Sequence, residues 1–218
     1  MNLWGAALDA EGRRTLTCEE QVSTLFTMRA LRHLLCLSVS LYFSFPRSKS
    51  MTRVVRYTAH VDPDVRYPQE EFSNLLQIYL ADPDGWEAHG YRFVHVTANP
   101  DVEIRLVSPA NVVKVCGLPS NLSCAELGGK RMYLNAKRWL HGSPQSKQSL
   151  DGYRQYVVSH EMGHILGYDH VKCPIPGDPA PIMMQQTLGI GQCLPNTRIT
   201  KTDLKAKWVA GSSEHRST

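Results

Sequence analysis

The segment from His160 to His170 constrains this chain of 218 residues more than any other feature. It reads His-Glu-Met-Gly-His-Ile-Leu-Gly-Tyr-Asp-His, and its first five residues match the pattern H-E-x-x-H. Two histidines four positions apart in an α-helix differ by about 40° around the axis and about 6 Å along it, so both rings face one side. Because two such rings can reach one metal ion, the segment predicts a helix that presents His160 and His164 as metal ligands.

A third ligand is available in His170 if the chain turns back after the helix. A continuing helix would carry His170 about 15 Å beyond His160 and onto another face. Gly167 lies where the turn must occur, since glycine takes the left-handed conformation that ends helices at low steric cost. Three protein ligands would leave the fourth position of a Zn²⁺ ion open for water, as in catalytic and unlike structural zinc sites.

Glu161 follows the first histidine, and its side chain emerges about 100° around the helix from that of His160. This direction does not suit a ligand, but it places a carboxylate beside water in the open zinc position, whose pKa zinc lowers to about 7. Glu161 could then accept a proton during attack on a carbonyl and deliver it to the leaving amine. The sequence therefore predicts a zinc metallopeptidase with Glu161 as its catalytic residue and a peptide or protein as its substrate.

Hydrophobic patterns outside the motif predict the fold class. Apolar periodicity indicates strands at 57–61, 92–97, 102–107 and 131–135, and helices at 68–81 and 152–166. A loop rich in Gly, Pro and Ser is expected at 117–129, and irregular structure after the second helix. This order predicts an α+β (mixed α/β) single domain at 51–200, with an N-terminal extension at 1–50 and a polar tail at 201–218.

Composition limits the class of partner. Hydrophobic residues make up 42% of the chain and charged residues 20%, which is sufficient for a buried core. The formal net charge is +4, and the basic residues are scattered apart from a mild cluster at Lys201, Lys205 and Lys207. A nucleic-acid partner requires a concentrated basic stripe. We therefore expect no nucleic-acid binding, and we expect a monomer.

The N-terminal part contains a candidate targeting segment. Residues 34–45 form a run of 12 residues without a charge, and a basic stretch at 29–33 precedes it. Basic and then apolar residues are typical of a secretory signal, and the run is too short to span a bilayer comfortably. Met28 would be a more natural start for such a signal than the first methionine, and a buried core segment is the alternative. We expect 28–46 to act as a signal or anchor segment of a secreted or membrane-associated protein.

Four of the six cysteines lie in predicted loops, which favours disulfides in an oxidising compartment. Cys116, Cys124, Cys173 and Cys193 allow three pairings, and the local one joins Cys116 to Cys124 and Cys173 to Cys193. Each local bridge would stabilise the fold by roughly 3 kcal/mol through the lost entropy of the unfolded chain. Four reduced cysteines in a cytosolic protein are the alternative.

The histidine segment resembles the signature of the metzincin class of zinc peptidases, H-E-x-x-H-x-x-G-x-x-H followed by a methionine turn. Residues 180–187, Ala-Pro-Ile-Met-Met-Gln-Gln-Thr, are similar to that turn, and we refer to them as the methionine turn. The resemblance implies that Met183 lies under the zinc site, with Met184 as the substitute. Gln185 stands two residues after Met183, where the astacin and serralysin branches have a tyrosine ligand, so that ligand is not carried over.

Most of residues 54–200 is similar to a family of uncharacterised bacterial domains, predicted to be secreted or membrane-anchored and metzincin-like. The similarity rests on Asp82-Pro83, Gly85-Trp86, Arg138-Trp139 and the run 153–158 beside the histidine motif. It implies a mixed twisted sheet over two long helices, with substrate along an edge strand above the zinc and 131–135 near that edge. The four cysteines named above also fall where that family places cysteines.

Two other functions are compatible with the sequence. A non-catalytic, secreted zinc-binding interaction module could keep the metal for stability, although a structural site has no need of Glu161. Alternatively, a thiolate from Cys18 or Cys36 could occupy the zinc and make the N-terminal segment a propeptide. The carboxylate beside an open coordination position favours the enzyme.

Overall fold

The computed structural model describes residues 52–207. The predicted N-terminal extension at 1–50 lies outside the described residues, and so do its signal or anchor segment at 28–46, Cys18 and Cys36. Within the described part, no helix is both long enough and apolar enough to cross a membrane.

A five-stranded sheet forms the centre of the domain. Its strands are β1 (Arg53–Val61), β2 (Tyr91–His95), β3 (Val102–Val107), β4 (Cys124–Ala125) and β5 (Arg131–Asn135). Their order across the sheet is β2-β1-β3-β5-β4. The first three strands and β5 run parallel, and the short edge strand β4 is antiparallel to β5. The predicted mixed sheet is thus confirmed.

In the described part of the chain, five helices accompany the sheet, together with 3-10 turns at Trp86–His89 and Pro144–Ser146. They are α1 (Gln69–Leu80), α2 (Pro109–Cys116), α3 (Ala136–His141), α4 (Leu150–Ile165) and α5 (Lys201–Lys205). The two long helices are α1 and α4, with 12 and 16 residues. Phe72 of α1 and Val158 of α4 are fully buried in one core with Ile104 and Met132 of the sheet. The predicted α+β class with two long helices is confirmed.

The structure also contains elements that the sequence patterns do not predict, namely α2, α3 and β4. Residues 109–116 mix valines with polar residues, so no clear periodicity marks α2. Its ends define it instead: the Ser108 hydroxyl accepts a hydrogen bond from Asn111 N–H at 3.4 Å, and Gly117 ends the helix with a φ of 65°. Strand β4 lies inside the segment predicted as a loop at 117–129.

The C-terminal boundary of the domain differs from the prediction, because residues 201–207 are folded. Helix α5 begins with a capping box between Thr200 and Asp203. Asp203 is fully buried and accepts a hydrogen bond from Met183 N–H at 2.7 Å. The first residues of the predicted polar tail at 201–218 are thus in contact with the methionine turn, and 208–218 lie outside the described residues.

Both local disulfides are present. Cys116–Cys124 and Cys173–Cys193 have Cα–Cα distances of 6.3 and 5.8 Å. The first bridge joins the end of α2 to β4, so Cys116 is helical and not in a loop as predicted. The second closes part of the irregular chain after α4 and packs with Ala180. Of the three pairings that the sequence allows, the structure has the local one.

Candidate active site

Helix α4 carries the first two histidines on its buried C-terminal half. The Ser149 hydroxyl caps its start by accepting a hydrogen bond from Gly152 N–H at 3.1 Å. His160 and His164 are 5% and 8% exposed, and their ring centroids are 4.8 Å apart. The four-residue spacing thus brings both rings to one side of the helix.

Two backbone carbonyls orient the buried rings. His160 Nδ1 lies 2.7 Å from Ile182 O, and His164 Nδ1 lies 2.8 Å from Tyr168 O. Since a carbonyl oxygen only accepts, each Nδ1 carries the proton and donates it. The Nε2 atom of each neutral ring then keeps its lone pair, which is the state that a metal ligand requires.

The end of α4 turns the chain back towards these rings. Gly167 has a φ of 90° and its N–H donates to His164 O at 2.9 Å, while Tyr168 N–H donates to Gly163 O at 2.9 Å. These two bonds form a Schellman motif, which ends a helix with a left-handed residue. As a result, His170 Nε2 comes within 3.0 Å of His164 Nε2.

The resulting donor set fits a zinc ion. One nitrogen atom from each of the three histidines lies within 4.8 Å of the others. Two ligands at about 2.0–2.1 Å from a tetrahedral ion are about 3.3 Å apart, which is close to the 3.0 Å between His164 Nε2 and His170 Nε2. Imidazole nitrogens are among the ligands that zinc prefers. His160, His164 and His170 could therefore hold one zinc ion.

Burial favours the neutral form of the three rings by lowering the pKa of each. Desolvation lowers the pKa of His160 well below its usual value and that of His164 to about 4. Repulsion from neighbouring imidazoles acts in the same direction on both rings. Burial also lowers the pKa of His170, although its side chain is exposed at one side. Neutral rings are ready to bind a cation without first losing a proton.

Among the described residues, Glu161 is the one acidic side chain buried next to the histidines, with an exposed fraction of 4%. Desolvation raises the pKa of its carboxyl to about 8. A divalent cation on the histidines would shift this pKa in the opposite direction, because it stabilises the carboxylate. A group under these two opposing influences can both take up and release a proton near neutral pH.

Met183 lies against the helix between the two buried histidines. It is fully buried, and a Cβ atom added to Gly163 would overlap its sulfur and come within 2.9 Å of Trp86. Met184 instead is half-buried and packs in a small separate cluster with Cys193. Of the two methionines in the methionine turn, Met183 is thus the one that lies under the histidine pair.

Two tyrosines of α4 hold the methionine turn against the helix. Tyr156 OH donates to Met184 O at 3.0 Å and accepts from Gln186 N–H at 2.8 Å. Tyr153 OH and Thr187 Oγ1 are 2.9 Å apart. Tyr153, Tyr156, His160 and His164 follow one another at three- and four-residue steps, which places both tyrosines on one buried stripe of the helix but does not identify the partners of their hydroxyl groups. The periodicity of the stripe is therefore the only sequence signal for these two tyrosines. Their hydrogen-bond partners lie about 30 residues away in the chain, so no local pattern identifies them.

The histidines open into a cleft of about 200 Å³ between α4 and the edge of the sheet. Glu161, Gln185 and Thr187 line it on one side, and Cys124–Ala125 of β4 line it on the other. The edge strand at the cleft is therefore β4, and the predicted segment 131–135 is its neighbour β5. The segment 131–135, which the family resemblance implies to be near the edge, is thus adjacent to the edge strand.

The other histidines of residues 52–207 have no part in this cluster. His60, His89, His95 and His141 do not line the cleft, and His95 stacks on the Tyr57 ring at 5.3 Å. Within residues 52–207, His160, His164 and His170 form the only group of three side chains that could share a metal ion.

Comparison with known proteins places the chain in a family. One of the solved structures that resemble it is archaemetzincin from Archaeoglobus fulgidus, crystallised in complex with malonate. That protein is 13% identical to this chain with a TM-score of 0.40, and the match covers 69% of this chain and 99% of archaemetzincin. No curated protein matches the sequence. Residues 44–210 match the family described as protein of unknown function (DUF3152), and the chain therefore belongs to the DUF3152 family.

Proposed function

We propose that this protein is a zinc-dependent metallopeptidase that hydrolyses peptide bonds. The observation that carries the proposal is the convergence of three imidazole rings and one buried carboxyl in a single open cleft. His160, His164 and His170 would hold the ion, and Glu161 would transfer the proton. Bound there, Zn²⁺ would supply a Lewis acid that polarises the scissile carbonyl and acidifies water.

Glu161 has the position that a general base requires. It adjoins His160 in sequence and lines the same cleft as all three histidines, while its burial excludes bulk water from the carboxyl. In the proposed reaction its carboxylate accepts the proton of the attacking water and passes it to the nitrogen of the leaving amine. A purely structural metal site would gain nothing from a buried carboxyl in an open cleft, and this favours the enzyme over a binding module.

The substrate would lie along β4. This strand pairs with β5 on one side only, so its outer backbone groups face the cleft region. An extended peptide can add to such an edge as a further strand. Since every residue of the candidate site comes from one chain, a monomer would suffice for catalysis.

The proposed location is outside the cytoplasm, by secretion or by membrane association. Cys116–Cys124 and Cys173–Cys193 are both oxidised in the structure. Disulfides persist in oxidising compartments and are rare in reducing ones. The two bridges are therefore compatible with an extracellular protein.

The test is cleavage of a mixed peptide library by the full chain, with the Glu161→Gln protein as the matched variant at equal zinc content. Glutamine has nearly the same shape as glutamate but cannot accept the proton. Loss of a general base typically costs a factor of about 10²–10⁴ in rate. We expect the parent to cleave, a chelator to abolish cleavage, and Glu161→Gln to lower kcat/KM by about that factor.

Three other results are possible, and each contradicts a different part of the proposal. If parent and variant both bind one zinc ion and neither cleaves any peptide, the non-catalytic zinc-binding module is the better description. If neither binds zinc, the histidines do not form a metal site. Cleavage that persists unchanged in Glu161→Gln would assign the proton transfer to another group.

A further inference from the structure

Three leucines stand at the rim of the cleft beside the histidines. Leu118 and Leu127 are 38% and 41% exposed, and Leu122 is half-buried. All three line the cleft, whose lining contains no lysine or arginine within the described part of the chain. Apolar side chains that are grouped in one cleft with polar residues around them are typical of a ligand-binding groove.

The leucines lie at opposite ends of β4. Leu122 precedes the strand, and its carbonyl oxygen accepts a hydrogen bond from Asn135 Nδ2 at 3.0 Å, next to the end of β5. Leu127 follows the strand, and the adjacent Gly128 N–H donates to His164 O at 2.8 Å, at the end of α4. The two apolar surfaces therefore flank the stretch of β4 that faces the histidines.

The loop that carries Leu118 and Leu122 is held in place. The Cys116–Cys124 disulfide closes it, and Asn135 Nδ2 also donates to Ser120 O at 2.8 Å. In addition, Arg138 Nε donates to the carbonyl oxygen of residue 121 at 2.9 Å. These contacts fix the backbone of the loop, so Leu118 and Leu122 are pre-organised for an external apolar group.

We propose, building on the proposed peptidase function, that the cleft selects extended peptides with apolar side chains on both sides of the bond that is cut. Leu127 contacts the substrate side chain on one side of that bond, and Leu118 with Leu122 contacts the side chain on the other. The substrate backbone pairs with β4, and this fixes the two side chains in register with the leucines.

The experiment profiles cleavage-site preference of the full chain with a mixed peptide library, for the parent and for Leu122→Glu and Leu127→Glu. Ile78→Glu is the matched control, because Ile78 is 64% exposed on α1 away from the cleft. Equal zinc content and equal circular dichroism establish that each variant is folded. The parent is expected to cut between apolar residues.

Each cleft variant should change the preference on its own side of the cut bond. A buried leucine contact is worth about 1.5 kcal/mol, which corresponds to about a tenfold loss of kcat/KM for apolar residues at that position. Basic residues should be preferred there instead, because the new carboxylate attracts them. Ile78→Glu should retain the parental profile.

Three results would overturn the proposal. Cleavage by the parent without apolar preference would refute it and leave the peptidase function intact. Identical effects of Leu122→Glu and Leu127→Glu on the same substrate position would refute the assignment of opposite sides. If no peptide is cut, the binding of an apolar and of an acidic peptide to the Glu161→Gln protein is measured by calorimetry. Tighter binding of the apolar peptide would support the leucine contacts. Equal binding of the two peptides would overturn them.

Discussion

His160 and His164 obtain their ligand geometry from single hydrogen bonds to backbone carbonyls. Ile182 O, which orients His160, lies 22 residues further along the chain, whereas Tyr168 O, which orients His164, belongs to the turn that ends α4. An imidazole without such a partner could present either nitrogen to a metal ion. These two bonds leave only Nε2 available on each ring.

Gly163 is the residue at which packing under the site can be tested. Replacing a glycine by alanine at an open position of a helix stabilises the folded protein by about 1 kcal/mol. At this position, however, the added Cβ would overlap Met183 and lie 2.9 Å from Trp86. Overpacking of a buried site costs about 1–3 kcal/mol, so we expect Gly163→Ala to lower the free energy of unfolding by that amount in urea denaturation. Zinc affinity should fall too, because Gly163 lies between two ligands.

Gly152→Ala on the same helix is the matched control. Its Cβ would meet only side-chain atoms, of which the nearest are Ser149 Oγ at 3.2 Å and Gln148 Oε1 at 3.3 Å. Because alanine is favoured over glycine in a helix by up to about 1 kcal/mol, Gly152→Ala should leave the free energy of unfolding equal to or above that of the parent. A Gly163→Ala protein as stable as the parent would contradict the contact with Met183.

At the scale of elements, the short helix α5 supports the methionine turn from the far end of the domain. Asp203 Oδ1 accepts from Met183 N–H, and its Oδ2 accepts from Thr200 N–H and Oγ1, each at 2.7 Å. Asp169 N–H donates to Ala206 O at 2.9 Å, so the same segment also holds the chain just before His170. Residues 200–207 thus act on the site without lining it.

Asp203→Ala is expected to destabilise the protein and weaken zinc binding. The substitution leaves the buried Met183 N–H without an acceptor, and an unsatisfied buried donor costs about 1–3 kcal/mol. Denaturant unfolding measures the first effect, and competition with a chromogenic chelator measures the second. Asp203→Asn keeps an acceptor oxygen and should show smaller losses.

Lys201→Ala provides the control in the same helix, because Lys201 is exposed. This substitution should leave the free energy of unfolding and the free energy of zinc binding within about 0.5 kcal/mol of the parent values. Unchanged zinc affinity in Asp203→Ala would show that the methionine turn keeps its position without α5.

At the scale of the whole molecule, two disulfides close loops on either side of the active-site helix. Cys116–Cys124 spans 8 residues and Cys173–Cys193 spans 20 residues. Since the entropy removed from the unfolded chain grows with loop length, the second bridge should contribute more, about 3.3 against about 2.5 kcal/mol. Much of the chain after α4 has no regular structure and depends on this bridge.

Replacing Cys173 and Cys193 together by serine should therefore lower the stability by about 3 kcal/mol. For a domain of this size that corresponds to a fall in Tm of about 6–12 °C, measured by calorimetry. The Cys116→Ser, Cys124→Ser pair, treated in the same way, should show the smaller decrease. Equal Tm values for the parent and the first pair would mean that the bridge does not constrain the unfolded chain.

Several features of the molecule follow from the sequence because their physical basis is local. The shared face of His160 and His164 depends only on helix periodicity, and the turn that returns His170 depends on the left-handed conformation of Gly167. The two long helices and four of the five strands likewise follow from apolar patterns within each segment. Short sequence separation also favours the disulfide pairing that the structure has.

Only the tertiary structure decided which distant partners meet. The tautomer of His160 depends on Ile182, the choice of Met183 over Met184 depends on packing under Gly163, and the burial of Asp203 depends on the methionine turn. Strand β4 has only two residues and exists because β5 offers it a partner. Such contacts join segments far apart in the chain, and no periodicity or composition within either segment encodes them.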